Sequence, residues 1–334
     1  MPELSIANIA STNDRLSAEI IQTPLLNWPQ KSAQHRFGNN TQVVTKLEML
    51  QHTGSFKARA ALLAVQHLNP SQLERGVTAV SAGNHAAAVA WAAARAGTTA
   101  KVVMPSASNP YRVSLCRDYG AEVTLVKDVH AAFEQVRLIE AEEGRFFIHP
   151  FAGETVALAT ATIGYEFHQQ LSAQGQAIDA MIIAVGGGGL CAGVSSAIRL
   201  LAPDCEIFAV EPYGADSMYQ SFRAGSPQKI DKVDTLADSL GAPHAEAYSF
   251  SLCKKHVERI VRVSDEEILQ SLYYVFQDLK LAIEPAAAAA MAALAGPLQK
   301  PLAGRRVGMI ICGANIDAES YQRYLHTGAD LASA

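Results

Sequence analysis

Short runs of β-branched and aliphatic residues alternate with longer stretches of helical period along most of this chain. Val77-Thr78-Ala79-Val80 predicts a strand, and the stretch from Asn84 to Ala96 predicts a helix stopped by Gly97. Lys101 to Met104 reads as the next strand, ended by Pro105. A helix from Tyr111 to Tyr119 follows, then a strand from Glu122 to Val126 and a helix from His130 to Glu143. Upstream, Ala58 to Leu68 has the composition of a helix. The alternation resumes with strands at Met181–Val185, Glu206–Val210, Arg259–Val263 and Arg306–Ile311. A helix opens near Leu190. Another opens at Ser264-Asp265-Glu266-Glu267, which has capping-box spacing, and runs to Lys280. Strands separated by helices predict an α/β protein with parallel sheets covered by helices on their faces. Two such units predict a cleft between them.

Composition narrows the class. The 334 residues suit two domains of roughly 150 residues each. Hydrophobic residues make up 49% and charged residues 18%, enough apolar material for a sizeable core. The net charge is −5 and no basic cluster stands out, which argues against nucleic acid and acidic lipid as partners. No secretory leader pattern is visible over residues 1–13. No apolar stretch approaches the ~20 residues of a membrane span. The five cysteines, Cys116, Cys191, Cys205, Cys253 and Cys312, have no paired spacing. That pattern predicts neither a disulfide framework nor a zinc site, and so a reduced, cytoplasmic protein.

Three loops and one lysine carry the candidate chemistry. Gly186-Gly187-Gly188-Gly189 leaves a predicted strand and opens a helix, where bare backbone N–H groups and the helix N-terminus can close on a phosphate. The same loop fits a dinucleotide pattern through Gly187, Gly189 and Ala192. Glu211 ends the following strand at the offset of a ribose-binding acid, so an NAD-dependent oxidoreductase is a competing reading. Lys57 separates the two. It follows Thr53-Gly54-Ser55-Phe56 and precedes a helix, a setting that favours a neutral amine able to form an imine with an aldehyde such as that of pyridoxal phosphate (PLP). A dehydrogenase has no use for such a segment. Ser81-Ala82-Gly83-Asn84-His85 lies between a strand and a helix, suited to a carboxylate. Plain capping of that helix by Ser81 or Asn84 is the simpler alternative. Cys312 ends the last predicted strand at the same expected edge.

Taken together these segments resemble the fold-type II PLP enzymes, in particular the threonine and serine dehydratase group that includes serine racemase. The resemblance runs from about Thr23 to Asp317. It also takes in Met104-Pro105, Tyr119-Gly120-Ala121-Glu122-Val123, His149-Pro150-Phe151, Val210-Glu211-Pro212 and Ile283-Glu284-Pro285. It implies two doubly wound parallel-sheet domains with PLP between them. The larger would take residues 1–57 and 150–334, and the smaller, with the substrate loop, 58–149. It implies Lys57 as the residue that anchors PLP covalently and moves protons. Phe56 would lie against the cofactor ring, Asn84 at its hydroxyl and Gly186 to Gly189 at its phosphate. Cys312 would lie at the pyridine nitrogen, with Glu284 nearby. Ser81, Asn84 and His85 would hold the substrate carboxylate. The implied reaction is conversion of a 3-hydroxy amino acid such as L-threonine or L-serine to a 2-oxo acid and ammonia, in a homodimer, with serine racemisation or dehydration of another 3-hydroxy amino acid as the alternative.

Several positions depart from the family pattern. Ala82 replaces the serine of eukaryotic-type serine racemases, which favours elimination over racemisation. Ala159-Thr160-Ala161-Thr162, Ala237-Asp238-Ser239 and Ala87-Ala88 also depart from it, and all are expected near the pocket. Glu211 and the Ala215 carbonyl resemble a cation site of some members, but Ser217 replaces an acid there, so no metal is expected.

Overall fold

The structure, a computed structural model, describes residues 4–333. Its strands form two sheets. The six-stranded sheet has the order β1-β2-β10-β7-β8-β9, where β1 is Leu25–Asn27, β2 Gln42–Lys46, β7 Ala180–Ala184, β8 Glu206–Pro212, β9 Arg259–Val263 and β10 Arg306–Ile310. The four-stranded sheet has the order β5-β4-β3-β6, with β3 at Val77–Val80, β4 at Ala100–Pro105, β5 at Glu122–Val126 and β6 at Phe146–Phe147. Every pairing is parallel except that of the edge strand β1 with β2. The expected α/β class with two parallel sheets is therefore present, with one antiparallel edge added.

Each sheet has its own apolar core. The larger core gathers the six-stranded sheet with helix Gly189–Leu201 and helix Pro285–Ala295. Pro285–Ala295 is buried along nearly its whole length, and alanines let it lie close against the strands. The smaller core gathers helix Lys57–Gln66 and the alanine-rich helix Asn84–Arg95 against β3 and β4. Helix Glu154–Ala173 joins the two: Ala157 and Ala161 face the larger core, and Val156 and Ala159 the smaller.

A buried ionic cluster ties the Lys57 helix to the larger unit. Arg59 donates to both oxygens of Glu48 at 2.8 and 2.9 Å and to both oxygens of Glu166 at 2.7 and 2.9 Å. Lys46 donates to Glu166 at 2.8 Å and to the Thr23 carbonyl at 2.8 Å. Two cations thus meet two carboxylates out of water, with nearly every polar atom partnered, which is the condition under which buried charge is tolerated.

Candidate active site

Parallel strands place their C-terminal ends along one edge, and the loops that leave those ends converge there. Ser81 follows β3, Gly186 follows β7 and Cys312 follows β10. Main-chain pairing then brings the lysine segment to Cys312: Ser55 bridges Gly313, and the Phe56 N–H donates to the Cys312 carbonyl at 3.1 Å. The result is one cleft of about 190 Å³ between the two sheets. Its walls include Phe56, Lys57, Ser81, Asn84, His85, Gly186, Gly187, Gly188, Gly189, Glu284 and Cys312. Lys57 and Phe56, the Ser81 loop, the glycine loop, Glu284 and Cys312 meet in that one space.

Lys57 is the first residue of its helix, and its Nζ donates to the Pro150 carbonyl at 2.6 Å. Burial pulls its pKa down to about 8, against the attraction of Cys312 and Glu284, which raises it. Desolvation, rather than the start of the helix, is the dominant cause of this shift. Burial likewise pushes the Cys312 thiol well above its ordinary value, so it faces the cleft as a neutral group.

The glycine loop has room only for glycine. A Cβ on Gly187 would stand 2.2 Å from the Phe151 ring, and one on Gly186 would stand 3.1 Å from the Leu240 backbone. Gly188 has φ +90° and forms the N-cap of helix Gly189–Leu201 without any side-chain hydrogen bond. The N–H groups of that first turn therefore keep their capacity for an anion.

Asn84, Glu284 and Arg112 form a network that the sequence did not reveal. Asn84 Nδ2 donates to the two Glu284 oxygens at 2.8 and 3.0 Å, and Asn84 Oδ1 accepts from Asn315 at 2.8 Å. Arg112 donates to the Asn315 carbonyl at 2.8 Å and pairs with Asp238 and Glu284. Arg112 belongs to helix Pro110–Asp118, beside the smaller sheet. An arginine in a helix reads as a solvated charge, and no local signal marks this one as buried.

Other expectations need correction. The His85 Nε2 lies 2.8 Å from the Ile148 carbonyl, which can only accept, so Nε2 carries the proton. Burial lowers the pKa of this ring to about 3 and keeps it neutral. Its Nδ1 is then a lone pair, unsuited to a carboxylate. The Asn84 amide is likewise committed to Glu284, and the Ser81 and Gly83 N–H groups are taken by the Val103 carbonyl and the Ser81 hydroxyl oxygen. The N–H groups of Ala82, Asn84 and His85 and the Ser81 O–H are therefore what the loop can offer a carboxylate. Neither Ser81 nor Asn84 caps helix Asn84–Arg95, whose N-cap is Gly83 with no side-chain bond. Of the departures expected near the pocket, Asp238 and Ser239 line the cleft. Thr160 instead donates to the Gly189 carbonyl inside the helix layer, Thr162 accepts from Arg59, and Ala87 and Ala88 are core residues. Glu211, the acid of the dinucleotide reading, is buried away from the cleft and accepts the N–H groups of Met218 and Tyr219 at 3.0 and 2.6 Å.

With this geometry in view, comparison with known proteins is informative. Residues 16–313 match the family model described as pyridoxal-phosphate dependent enzyme. The chain belongs to that family. It is 48% identical over 328 residues to a phenylserine dehydratase of Ralstonia pickettii, covering 98% of each chain. It is 34% identical over 288 residues to an L-threonine ammonia-lyase of Thermotoga maritima, covering 86% of this chain and 70% of the relative. Among solved structures, maize serine racemase superposes with a TM-score of 0.89 at 27% identity, over 98% of this chain and 99% of that one. The protein is a PLP-dependent enzyme, and the dehydratase and ammonia-lyase names of its relatives agree with the expected lyase class. The oxidoreductase reading is set aside. All five cysteines are buried and free, and no helix among the described residues is long and apolar enough to cross a membrane.

The cleft fits the cofactor on its own chemistry. It offers a buried amine of lowered pKa, a glycine cradle at an uncapped helix start, a neutral thiol and the Phe56 ring, whose centroid lies 5.1 Å from Lys57 Nζ.

Proposed function

We propose that this protein is a lyase that removes water from a 3-hydroxy amino acid carrying an uncharged aryl 3-substituent, of the phenylserine kind, and releases a 2-oxo acid and ammonia. The observation that carries this reading is the charge of the cleft wall. Among the described residues its lysine and arginine side chains are Lys57 and Arg112, and Arg112 is already paired with Asp238 and Glu284. A substrate with a second carboxylate would find no free cation. Pro105, Val129, Phe133, Phe151 and Pro243 instead present apolar surface. L-Threonine and L-serine, the substrates expected from the sequence, also satisfy the charge argument but cover little of that surface. The 48% identity to a phenylserine dehydratase supports the aryl choice.

The roles follow from the residues. Lys57 would hold PLP, with Gly186 to Gly189 at the phosphate, Asn84 and Phe56 at the ring, and Cys312 at the ring nitrogen. When bound, PLP supplies a conjugated system that accepts the electron pair left when Cα loses its proton. The Ser81 hydroxyl and the main-chain N–H groups of Ala82, Asn84 and His85 hold the substrate carboxylate. Lys57, kept out of water and with a pKa near neutrality, takes the Cα proton. That hydrogen and the 3-hydroxyl depart together as water, and the unsaturated amine product hydrolyses in solvent to the oxo acid and ammonia. Cys312 stays neutral, so it places no carboxylate charge at the ring nitrogen. Glu284 remains bound by Asn84 and Arg112, away from proton transfer. Ala82 has no proton to give to Cα, which supports elimination over racemisation.

The test is a panel of L-threo-phenylserine, L-threonine, L-serine and L-threo-3-hydroxyaspartate, with oxo acid measured and the recovered substrate checked for chirality. Phenylserine should give the highest kcat/KM and hydroxyaspartate the lowest, and Lys57→Ala should lose about a thousandfold or more in kcat. Fastest turnover of hydroxyaspartate, or racemised substrate without oxo acid, would overturn the proposal.

A further inference from the structure

Helix Val129–Glu143 has one broad apolar face, and its edge reaches past the core into the cleft. Ala132, Val136 and Ile139 form the buried stripe, and they pack with Val80 and Val103 of β3 and β4. Val129 and Phe133, one turn apart, form the edge of that face; Phe133 also packs against the buried residues, and both line the cleft. Val129 is 47% exposed, a large apolar side chain held at the cleft rather than in a core.

Phe133 is braced from behind. Its ring meets Phe147 edge-on at 6.5 Å and 87°. Phe147 meets His149 at 5.6 Å, His149 meets Phe151 at 4.8 Å and 87°, and Phe151 meets His244 at 5.6 Å. This edge-to-face run crosses from the helix of the smaller unit to the glycine loop of the larger. Only its members Phe133 and Phe151 reach the cleft; Phe147 and His149 line a separate cavity behind it. Two rings whose orientations are fixed by neighbours are thus delivered to the same space. Aromatic faces and edges prefer such partners at 4.5–7 Å, and a third ring entering between them would gain the same contacts.

We propose that Val129 and Phe133, with Phe151 across the cleft, form the subsite that selects an aryl side chain on the substrate. The inference deepens the function proposed above and rests on it for the reacting part of the substrate. Phe133 and Val129 act on binding and selection, while proton transfer belongs to Lys57. Arg112, the cation at the cleft, contributes nothing here because its charge is spent on Asp238 and Glu284.

Two measurements on the PLP-loaded enzyme test this. The first is the ratio of kcat/KM for L-threo-phenylserine to that for L-serine, in the wild type, Val129→Ala, Phe133→Leu and Phe133→Ala. The second is the affinity for L-phenylalanine relative to L-alanine, read from the change in cofactor absorbance; neither amino acid has a 3-hydroxyl to lose. Phe133→Ala should lower both ratios about tenfold, mainly through KM, with Phe133→Leu intermediate and Val129→Ala smaller but in the same direction. Val129 is exposed, so its variant tests the wall without a folding penalty. Ratios within twofold of wild type in both Phe133→Ala and Val129→Ala would overturn the subsite. If phenylserine yields no oxo acid while the phenylalanine-to-alanine ratio still falls in the variants, the reaction proposed above fails and the subsite stands.

Discussion

At Lys57, burial strips water from the ε-ammonium and lowers its pKa to about 8, while Cys312 and Glu284 pull the other way. The charged form is the disfavoured one, so the neutral amine grows in as pH rises through about 8, well below the ~10.4 of a lysine in water. When cofactor-free protein is mixed with PLP, the rate at which visible absorbance develops should therefore rise with pH and level off just above 8. A rate still climbing steeply at pH 10 would mean that solvent reaches the amine. His85 gives the same lesson with the opposite outcome. It sits in a loop suited to substrate, yet its ring is committed to the Ile148 carbonyl. The residue types in these loops could be read from the sequence, but the hydrogen bond that spends one of them could not.

Among the elements, the Lys57 helix depends on a cluster assembled from four distant stretches of chain. Arg59, two residues beyond Lys57, is held charged by Glu48 and Glu166 although burial alone would lower its pKa. Arg59→Met leaves Glu166 with Lys46 and Glu48 with only the Thr23 hydroxyl, and loss of one partner from a buried ion cluster costs about 3–5 kcal/mol. Urea unfolding followed by circular dichroism would measure it. Burial alone would raise the Glu166 pKa, but its bonds to Arg59 and Lys46 outweigh burial and hold it below its ordinary value. Its contribution is present above the unfolded value of ~4.3 and is lost as pH falls through the lower folded one. Acid unfolding should be less steep in Glu166→Gln. The cluster also explains what the sequence hid. β2 contains buried Lys46, and helix Glu154–Ala173 buries Thr160, Thr162 and Glu166, so neither has the polar–apolar period by which elements are recognised. Helix Pro285–Ala295 fails in the opposite way, since it has no polar face at all. Strands bounded by a turn or capping signal, such as Val77–Val80 after Gly76 and Arg259–Val263 before the Ser264 capping box, lie where their pattern predicted.

At the scale of the molecule, the two sheets meet through few but costly bonds. Arg112 reaches from the smaller unit to Asp238, Glu284 and Asn315 of the larger, and Asn109 in the same segment bonds Asp317. Arg112→Ala leaves Glu284 buried with the Asn84 amide as its main partner, and burial already raises the pKa of this carboxyl. The expected outcome is a loss of about 3 kcal/mol in denaturant unfolding and weaker cofactor retention on gel filtration. Arg112→Lys, which keeps charge but not the fork of donors, should recover only part of it. Stability and retention both equal to wild type would show that the contact is incidental. The cleft itself was legible beforehand because the strand ends and their loops fix it. The latch across it was not, because it joins residues more than a hundred positions apart.

One consequence concerns how this enzyme comes apart. Cys116 lies in the smaller core, while Cys191, Cys205, Cys253 and Cys312 lie in the larger, and none is exposed. Cys312 lines the cleft, but an alkylating reagent can reach each of the other four sulfurs only when its own half loosens, so the order in which their labelled peptides accumulate is a natural clock for opening. Earlier labelling at Cys116 would mean that the half carrying the Ser81 loop breathes while the half holding the glycine loop stays shut.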